Sequence, residues 1–409
     1  EMAFCDWSSD VCSSDLEKGK SMGNKLFNVA SAAAMLWAGS ALAAQAEPGF
    51  DFTASGIEYE SAGGNVEATL GGRLHLDAGS IDDGGVDIED EEVRRARLEL
   101  SIRLFDDWRL RIDREFTDGG AWRNVWLRYD ITDDLSVQAG NYIVPFSMED
   151  VGSSNSTMFM ERSLAQALAP GFGVGAGGSY EGRRFSLAGG YFGDALDAED
   201  DSQVEKGDGF ALRGTWSPFE RRTNTLHFGA GYERRELDGA DRRISSRAES
   251  ALSPTIVSTG AIADVDTTTS LNLEAAYSFG PVLIQAQHIS TDIERNVGGS
   301  IDVDGYYVQA GWILTGERYR YGDASGVFRG PEPRGRWGAV ELAARMSALD
   351  LTEVGALGGE AKNTTIGLNW YVGQNVRFLI NYVHSEVDAV NPLDDRDVEV
   401  MQARLQFDF

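Results

Sequence analysis

Residues 399–409 read Glu-Val-Met-Gln-Ala-Arg-Leu-Gln-Phe-Asp-Phe, and this stretch decides the fold. Met401, Ala403, Leu405, Phe407 and Phe409 fall on one face; Gln402, Arg404, Gln406 and Asp408 fall on the other. Side chains of a strand point alternately to opposite faces, so a period of two gives one apolar and one polar surface. Residues 66–77 repeat the pattern, with Val66, Ala68, Leu70, Leu74 and Leu76 opposing Glu67, Thr69, Arg73, His75 and Asp77. Residues 93–104 set Ala96, Leu98, Leu100, Ile102 and Leu104 against Arg95, Arg97, Glu99, Ser101 and Arg103.

Sixteen such segments run along the chain. They lie near 65–78, 91–105, 107–117, 121–130, 135–144, 172–181, 183–193, 206–217, 224–235, 268–279, 281–292, 303–315, 336–349, 362–371, 376–388 and 397–409. Some joins are tight, as at Phe279-Gly280-Pro281; others, such as 79–90, 194–205 and 236–267, are long and polar. Short turns on one rim and long loops on the other describe an all-β, sixteen-stranded antiparallel transmembrane β-barrel. The long 316–335 connection breaks this rule, since parity places it on the short-turn rim. A soluble β-sandwich also has alternating strands. The barrel is favoured by the number of strands, by a secretory signal, and by aromatic residues at strand ends. These are Trp108, Trp122, Tyr129, Tyr142, Tyr191, Trp216, Trp312, Trp370 and Tyr371, placed as interfacial girdles would be.

The signal is read at 22–46: Lys25 supplies the positive start, 26–44 is apolar and Ala-rich, and Ala44-Gln45-Ala46 is a small-x-small cleavage site. Residues 1–21 precede it and hold both cysteines, Cys5 and Cys12. They resemble a translated sequencing adapter or an extension from a misplaced start codon. Residues 47–64 then form an N-terminal segment, and 65–409 the barrel domain. Of the chain's 65 acidic and 36 basic residues, five and three fall within 1–46, leaving 60 and 33 and a net charge of −27. Such acidity argues against nucleic acid as a partner. Beyond residue 46 only Lys206 and Lys362 are lysine; every other basic residue is arginine.

Several motifs have plain explanations. Residues 173–178 satisfy G-x-G-x-x-G, but a strand-like segment follows where a dinucleotide site needs a helix. His75, His227, His288 and His384 are scattered without ligand spacing. No Ser/His or carboxylate constellation marks an enzyme, and no cofactor or metal is expected. The acid runs at 87–92 and 199–201 are placed in loops, where they are solvated or meet divalent ions that bridge lipopolysaccharide. The arginines are more informative. Arg95, Arg97 and Arg103 share one strand's polar face, Arg109 and Arg111 the next, and Arg73, Arg213, Arg345 and Arg404 also lie on polar faces. Arginine presents a planar fork of donors that matches phosphate or carboxylate, and rings of cations build anion pores. The alternative is that these arginines pair with carboxylates such as Glu99 and Asp113 and brace the wall.

Four stretches resemble the phosphate-selective porin O and P family: RRARLELSIRLFDDWRLRIDREF (94–116), NYIVPFSMEDVGSSNSTMFMERSLAQALAPGFGVG (141–175), GRWGAVELAARMSALDL (335–351) and NWYVGQNVRFLINYVHSEV (369–387). The resemblance covers about 65–409. It implies a trimeric channel of sixteen strands, an arginine-lined lumen, and a third loop, about 145–171, folded inward and carrying Arg162. The family's paired arginines fall on Arg94 and Arg95, and a bulge is needed to turn both inward. The sequence departs where phosphate-selective members carry a lysine before the Pro-Phe of the third loop: here Ile143-Val144 precede Pro145-Phe146. The expected function is an outer-membrane diffusion channel for small anions, with phosphate or polyphosphate among the candidates. A general or cation-preferring porin is the alternative, and a structural or adhesive surface protein the alternative of another class. The candidate anion path is Arg94, Arg95, Arg97, Arg103, Arg109, Arg111, Arg162, Arg213 and Arg345. Expected partners are small anions, outer-membrane lipid and lipopolysaccharide of a Gram-negative bacterium, further copies in a homotrimer, and the assembly machinery through terminal Phe409. N-terminal sequencing of the protein from outer membranes is expected to begin at Glu47; a sequence starting within 1–21 would overturn the signal assignment.

Overall fold

The computed structural model describes residues 49–409 except 118, 198–205, 222, 323–324, 355–357 and 390–394. The expected extension (1–21) and signal peptide (22–46) lie outside the described residues. Phe50–Thr53 and Gly56–Glu60 form a small hairpin whose second strand pairs with the start of the barrel. The barrel strands are β1 (Val66–Asp83), β2 (Asp87–Leu104), β3 (Trp108–Glu115), β4 (Ala121–Asp130), β5 (Leu135–Ile143), β6 (Phe172–Glu181), β7 (Phe185–Phe192) and β8 (Asp208–Arg221). They continue as β9 (Asn224–Arg242), β10 (Ile262–Phe279), β11 (Val282–Arg295), β12 (Ile301–Ile313), β13 (Ala339–Asp350), β14 (Gly359–Tyr371), β15 (Val376–Ala389) and β16 (Arg396–Asp408). Neighbours pair antiparallel, and β16 returns to β1 with Leu405 opposite Leu76 and Arg404 opposite Asp77. Closure leaves no edge, so backbone polar groups are satisfied without water.

The wall is inside-out by the standard of a water-soluble domain. Leu98, Leu212, Leu273, Ile284, Val308, Leu342, Leu368 and Ile380 are exposed, whereas Gln285, Gln309, Asn369, Asn381, Gln402 and Arg404 are buried. An apolar exterior over a polar interior is the arrangement that lipid selects. Outward rings pair near the rim that carries the short turns: Trp108 with Tyr129 at 4.7 Å, Trp216 with Phe228 at 6.2 Å and Trp370 with Phe378 at 5.6 Å between centroids. Tyr371, expected in the girdle, instead points inward and donates to Glu341 Oε2 at 2.6 Å. At the β10–β11 turn, Gly280 has φ 55° before Pro281, the backbone hand that suits a two-residue hairpin. The glycines of 173–178 lie within β6; a Cβ on Gly175 would fall 2.3 Å from Tyr191 O.

The strands run further than the alternation implied. The expected 79–90 loop shrinks to residues 84–86, and the 87–92 acid run lies in β2 rather than in a loop. The 199–201 run lies outside the described residues. The reason is an inversion of polarity at the long-loop end. On β16, Glu399 faces out while Val398 and Val400 are fully buried within. Above the lipid the exterior meets water, and the interior is packed by inward chain. Ile81, Val383, Val387, Val398 and Val400 of the wall share one apolar cluster with Ile244, Ala248, Leu252, Ile256 and Val257 of the 243–261 connection and Leu164 and Leu168 of the 144–171 connection.

Several connections enter the lumen, among them 144–171, 243–261 and 314–338. The 144–171 segment reaches the far wall, where Met160 N donates to Asn381 Oδ1 at 2.8 Å and Asn369 Nδ2 to Met158 O at 2.8 Å. The 243–261 segment is anchored by buried Glu249, which pairs with Arg345 and accepts from Ser347 and from Thr365 Oγ1 at 2.6 Å. The 314–338 segment, anomalous by length, enters from the rim that carries Phe409. Its hairpin, Arg320–Gly322 with Val327–Arg329, puts Val327 and Phe328 against Met148, Met158 and Phe159. Glu249→Ala leaves Arg345 without its closest carboxylate, a loss of about 3–5 kcal/mol for a buried pair. The variant should keep its heat-modifiable barrel while trypsin cleaves at Arg243 or Arg247 at least about tenfold faster. Unchanged cleavage would show that apolar packing alone holds this segment.

Candidate functional site: an arginine-lined cavity

The inward segments do not fill the side of the lumen faced by β1–β6. A cavity of about 620 Å³ remains there. Its lining holds eight cations, Arg73, Arg94, Arg95, Arg97, Arg111, Arg123, Arg162 and Lys206, against two carboxylates, Asp150 and Asp197.

Two irregularities in the sheet create much of this density. His75 pairs with Arg95 and Leu76 with Val93, so Arg94 is the extra residue of a β-bulge. Both Arg94 and Arg95 thereby line the cavity, which regular parity forbids. On β4, Val125 pairs with Ile112 but Trp122 with Arg114, so Arg123 and Asn124 both stand opposite Asp113 and both reach the cavity.

Carboxylates set behind the guanidinium groups fix their planes. Arg97 pairs with Glu115 at 3.1 Å, Arg111 with Glu99 at 2.5 Å and Asp113 at 2.9 Å, and Arg73 with Glu99. Glu161 of the 144–171 segment receives Arg94 at 2.9 Å and Arg404 at 2.7 Å. Burial alone would raise the Glu161 carboxyl, but Arg94 and Arg404 hold it well below the usual carboxylate range. Arg162 is held by the carbonyls of Glu149, Asp150 and Gly152 at 2.9–3.1 Å. Not every donor is consumed: Nε of Arg73 and Nε of Arg95 are buried without a hydrogen-bond partner.

Five of the nine arginines expected along the path converge here: Arg94, Arg95, Arg97, Arg111 and Arg162. The other four do not line the cavity. Arg103 and Arg109 oppose each other at the short-turn end of β2 and β3, balanced by Glu67 and Asp130. Arg213 is buried, bonded to Glu274 at 2.5 Å and to Ser325 O at 2.7 Å. Arg345 is buried against Glu249 and beneath the Phe159 ring, 4.4 Å from its centroid. For these two the bracing alternative describes the geometry: lumen-facing parity is correct, but inward segments cover them. Two cavity cations escaped the sequence reasoning. Arg123 was hidden by its bulge. Lys206 comes from a connection, its Nζ donating to Pro170 O at 2.8 Å, and no strand pattern points to it. Burial, with the Arg242 charge nearby, lowers its ammonium to about 8.

A closed barrel of sixteen strands with an apolar exterior and a loop-narrowed, polar lumen is an outer-membrane porin. The chain belongs to the phosphate-selective porin O and P family, whose model matches residues 68–409. It is 26% identical to Porin O of Pseudomonas aeruginosa over 409 residues, covering 87% of this chain and 92% of that protein. Its fold is similar to that of an anion-selective porin from Comamonas acidovorans, with TM-score 0.55, 14% identity, and coverage of 84% of this chain and 100% of that one. It is also similar to the trimer form of OmpT from Vibrio cholerae, with TM-score 0.53, 12% identity, and coverage of 84% and 99%. The setting is therefore the bacterial outer membrane, and these relatives are channels rather than enzymes.

The depressed Glu161 carboxyl gives the third-loop clamp a pH dependence of known sign. Its contribution is present above the unfolded carboxyl value of about 4.3 and is lost only as pH falls through the lower folded value. Single-channel conductance should therefore stay steady from pH 7 to about pH 4. Glu161→Gln should give flickering currents already at pH 7. Steady currents in the variant would show that the clamp does not hold the loop.

Proposed function

We propose that this porin conducts small anions, phosphate among them, and that arginine rather than lysine does the selecting. The observation that carries this is the cavity itself: eight cations against two carboxylates, in a chain whose formal net charge is −29. Arg73 and Arg95 are among the residues that line the cavity, so a passing oxyanion meets fixed positive charge there. A cation that enters meets the same groups as a barrier. The family description and the likeness to Porin O support the same reading. The acidic excess lies elsewhere: Glu294, Asp302, Asp304, Glu386, Asp388 and Glu399 are on the outer wall or near the rim. Their field weakens anion entry at low salt, since screening acts over about 10 Å at 0.1 M. By the same reading the functional unit is a homotrimer.

Reversal potentials in a potassium chloride gradient test the sign. Anion preference is expected in the wild type, and Arg73→Ala with Arg95→Ala should reduce the anion-to-cation permeability ratio by about twofold or more, the effect of one charge felt through water at about 10 Å. Cation preference that the double variant leaves unchanged would overturn the proposal. Lys206, beside the seven arginines of the lining, adds a smaller share that depends on pH. Its ammonium is charged below about 8 and neutral above it, so anion preference should decline between pH 7 and pH 9. Lys206→Met should remove that decline; a decline that persists in the variant would assign it to another group.

A further inference from the structure

The cavity wall is not arginine alone. Trp126, Tyr142, Phe172, Ile143 and Val151 line the same space. Tyr142 is accounted for by packing, since its ring meets Phe192 edge-on at 5.2 Å beside Val144 and Ala211. Trp126 and Phe172 are not: among the described residues they belong to none of the buried apolar clusters. Trp126 is placed deliberately. It stands beside Arg111 on the neighbouring strand and opposite Gly140 on the other side. Gly140 has φ 132°, and a Cβ there would lie 2.6 Å from Trp126 Cα, so only glycine lets the strands approach here. The indole Nε1 is satisfied by Asn124 Oδ1 at 3.3 Å, which leaves the ring as an apolar surface. Phe172 lies under Arg123, with 5.8 Å from the guanidinium carbon to the ring centroid.

A bare oxyanion such as phosphate gains nothing from an indole or phenyl face. A solute with a carboxylate at one end and a flat ring at the other uses both kinds of wall. The carboxylate meets the guanidinium forks, and the ring stacks on aromatic faces or under a cation. Space is ample: about 620 Å³ against the roughly 150 Å³ that holds a benzene molecule. We propose that this channel's preferred solutes are aromatic carboxylates, held by Arg73 and Arg95 at the carboxylate and by Trp126 and Phe172 at the ring. The inference rests on the anion-channel reading above and narrows it to a solute class.

The test uses purified full-length protein in planar bilayers, with benzoate or acetate added to potassium chloride. Benzoate should halve the chloride current at a concentration about fivefold lower than acetate does, the effect expected of one aromatic contact. In Trp126→Leu the ratio of the two half-blocking concentrations should fall towards one. Phe172→Leu carries the same test if the first variant fails to assemble. Equal block by benzoate and acetate in an anion-preferring wild type overturns this inference and leaves the anion channel standing. A ratio that neither substitution changes also overturns it, because benzoate is then retained elsewhere. Cation preference in the chloride gradient overturns both readings together.

Discussion

The clamp formed by Arg404, Asp77, Glu161 and Arg94 is the interaction on which the rest depends. Arg404 of β16 binds Asp77 of β1 through two bonds of 2.6 and 2.7 Å, across the seam where the barrel closes. The same guanidinium reaches Glu161 and Met160 O, so the seam also holds the 144–171 segment in the lumen. Glu161 then orients Arg94 at the bulge. One chain of charge-assisted bonds therefore links closure, the inward loop and the cavity wall. Removing Arg404 leaves the buried Asp77 carboxylate without its paired guanidinium, a cost of about 3–5 kcal/mol.

Glu274 repeats the logic on the other wall. It is buried, accepts from Arg213 and from Met148 N at 2.8 Å, and lies 3.1 Å from His227 Nε2. Arg213 in turn holds the carbonyls of Ser325 and Gly326 in the 314–338 hairpin. The two inward segments, entering from opposite rims, thus share one carboxylate. A narrow lumen lined by charges is stable only when most of them are paired. The cations that line open space gather on the β1–β6 side.

Much of this was legible beforehand. Sixteen alternating segments gave the strand number, and parity placed Arg95, Arg97 and Arg111 in the lumen. The resemblance supplied Arg94, and with it the requirement for a bulge that the register between His75 and Leu76 meets. What escaped were the strand extensions above the lipid. There the outside turns acidic and the inside apolar, so a rule built on lipid-facing apolar residues reads a strand as a loop. Arg213 and Arg345 were placed on the correct face and assigned the wrong neighbours, because periodicity says nothing of which connection will cover a face.

The sequence by itself determined the barrel strands, because a period of two and antiparallel pairing of successive strands are local properties repeated along the chain. It also determined that arginine would have to serve where lysine is nearly missing. Only the tertiary structure decided which arginines meet in one cavity and which are buried as struts. It alone brought Lys206 and Arg123 to that cavity and set Trp126 and Phe172 in its wall. The physical reason is that these positions depend on bulges and on connections crossing the lumen. Both are settled by packing and charge pairing between residues far apart in the chain, as in the 327-residue separation of Arg404 and Asp77.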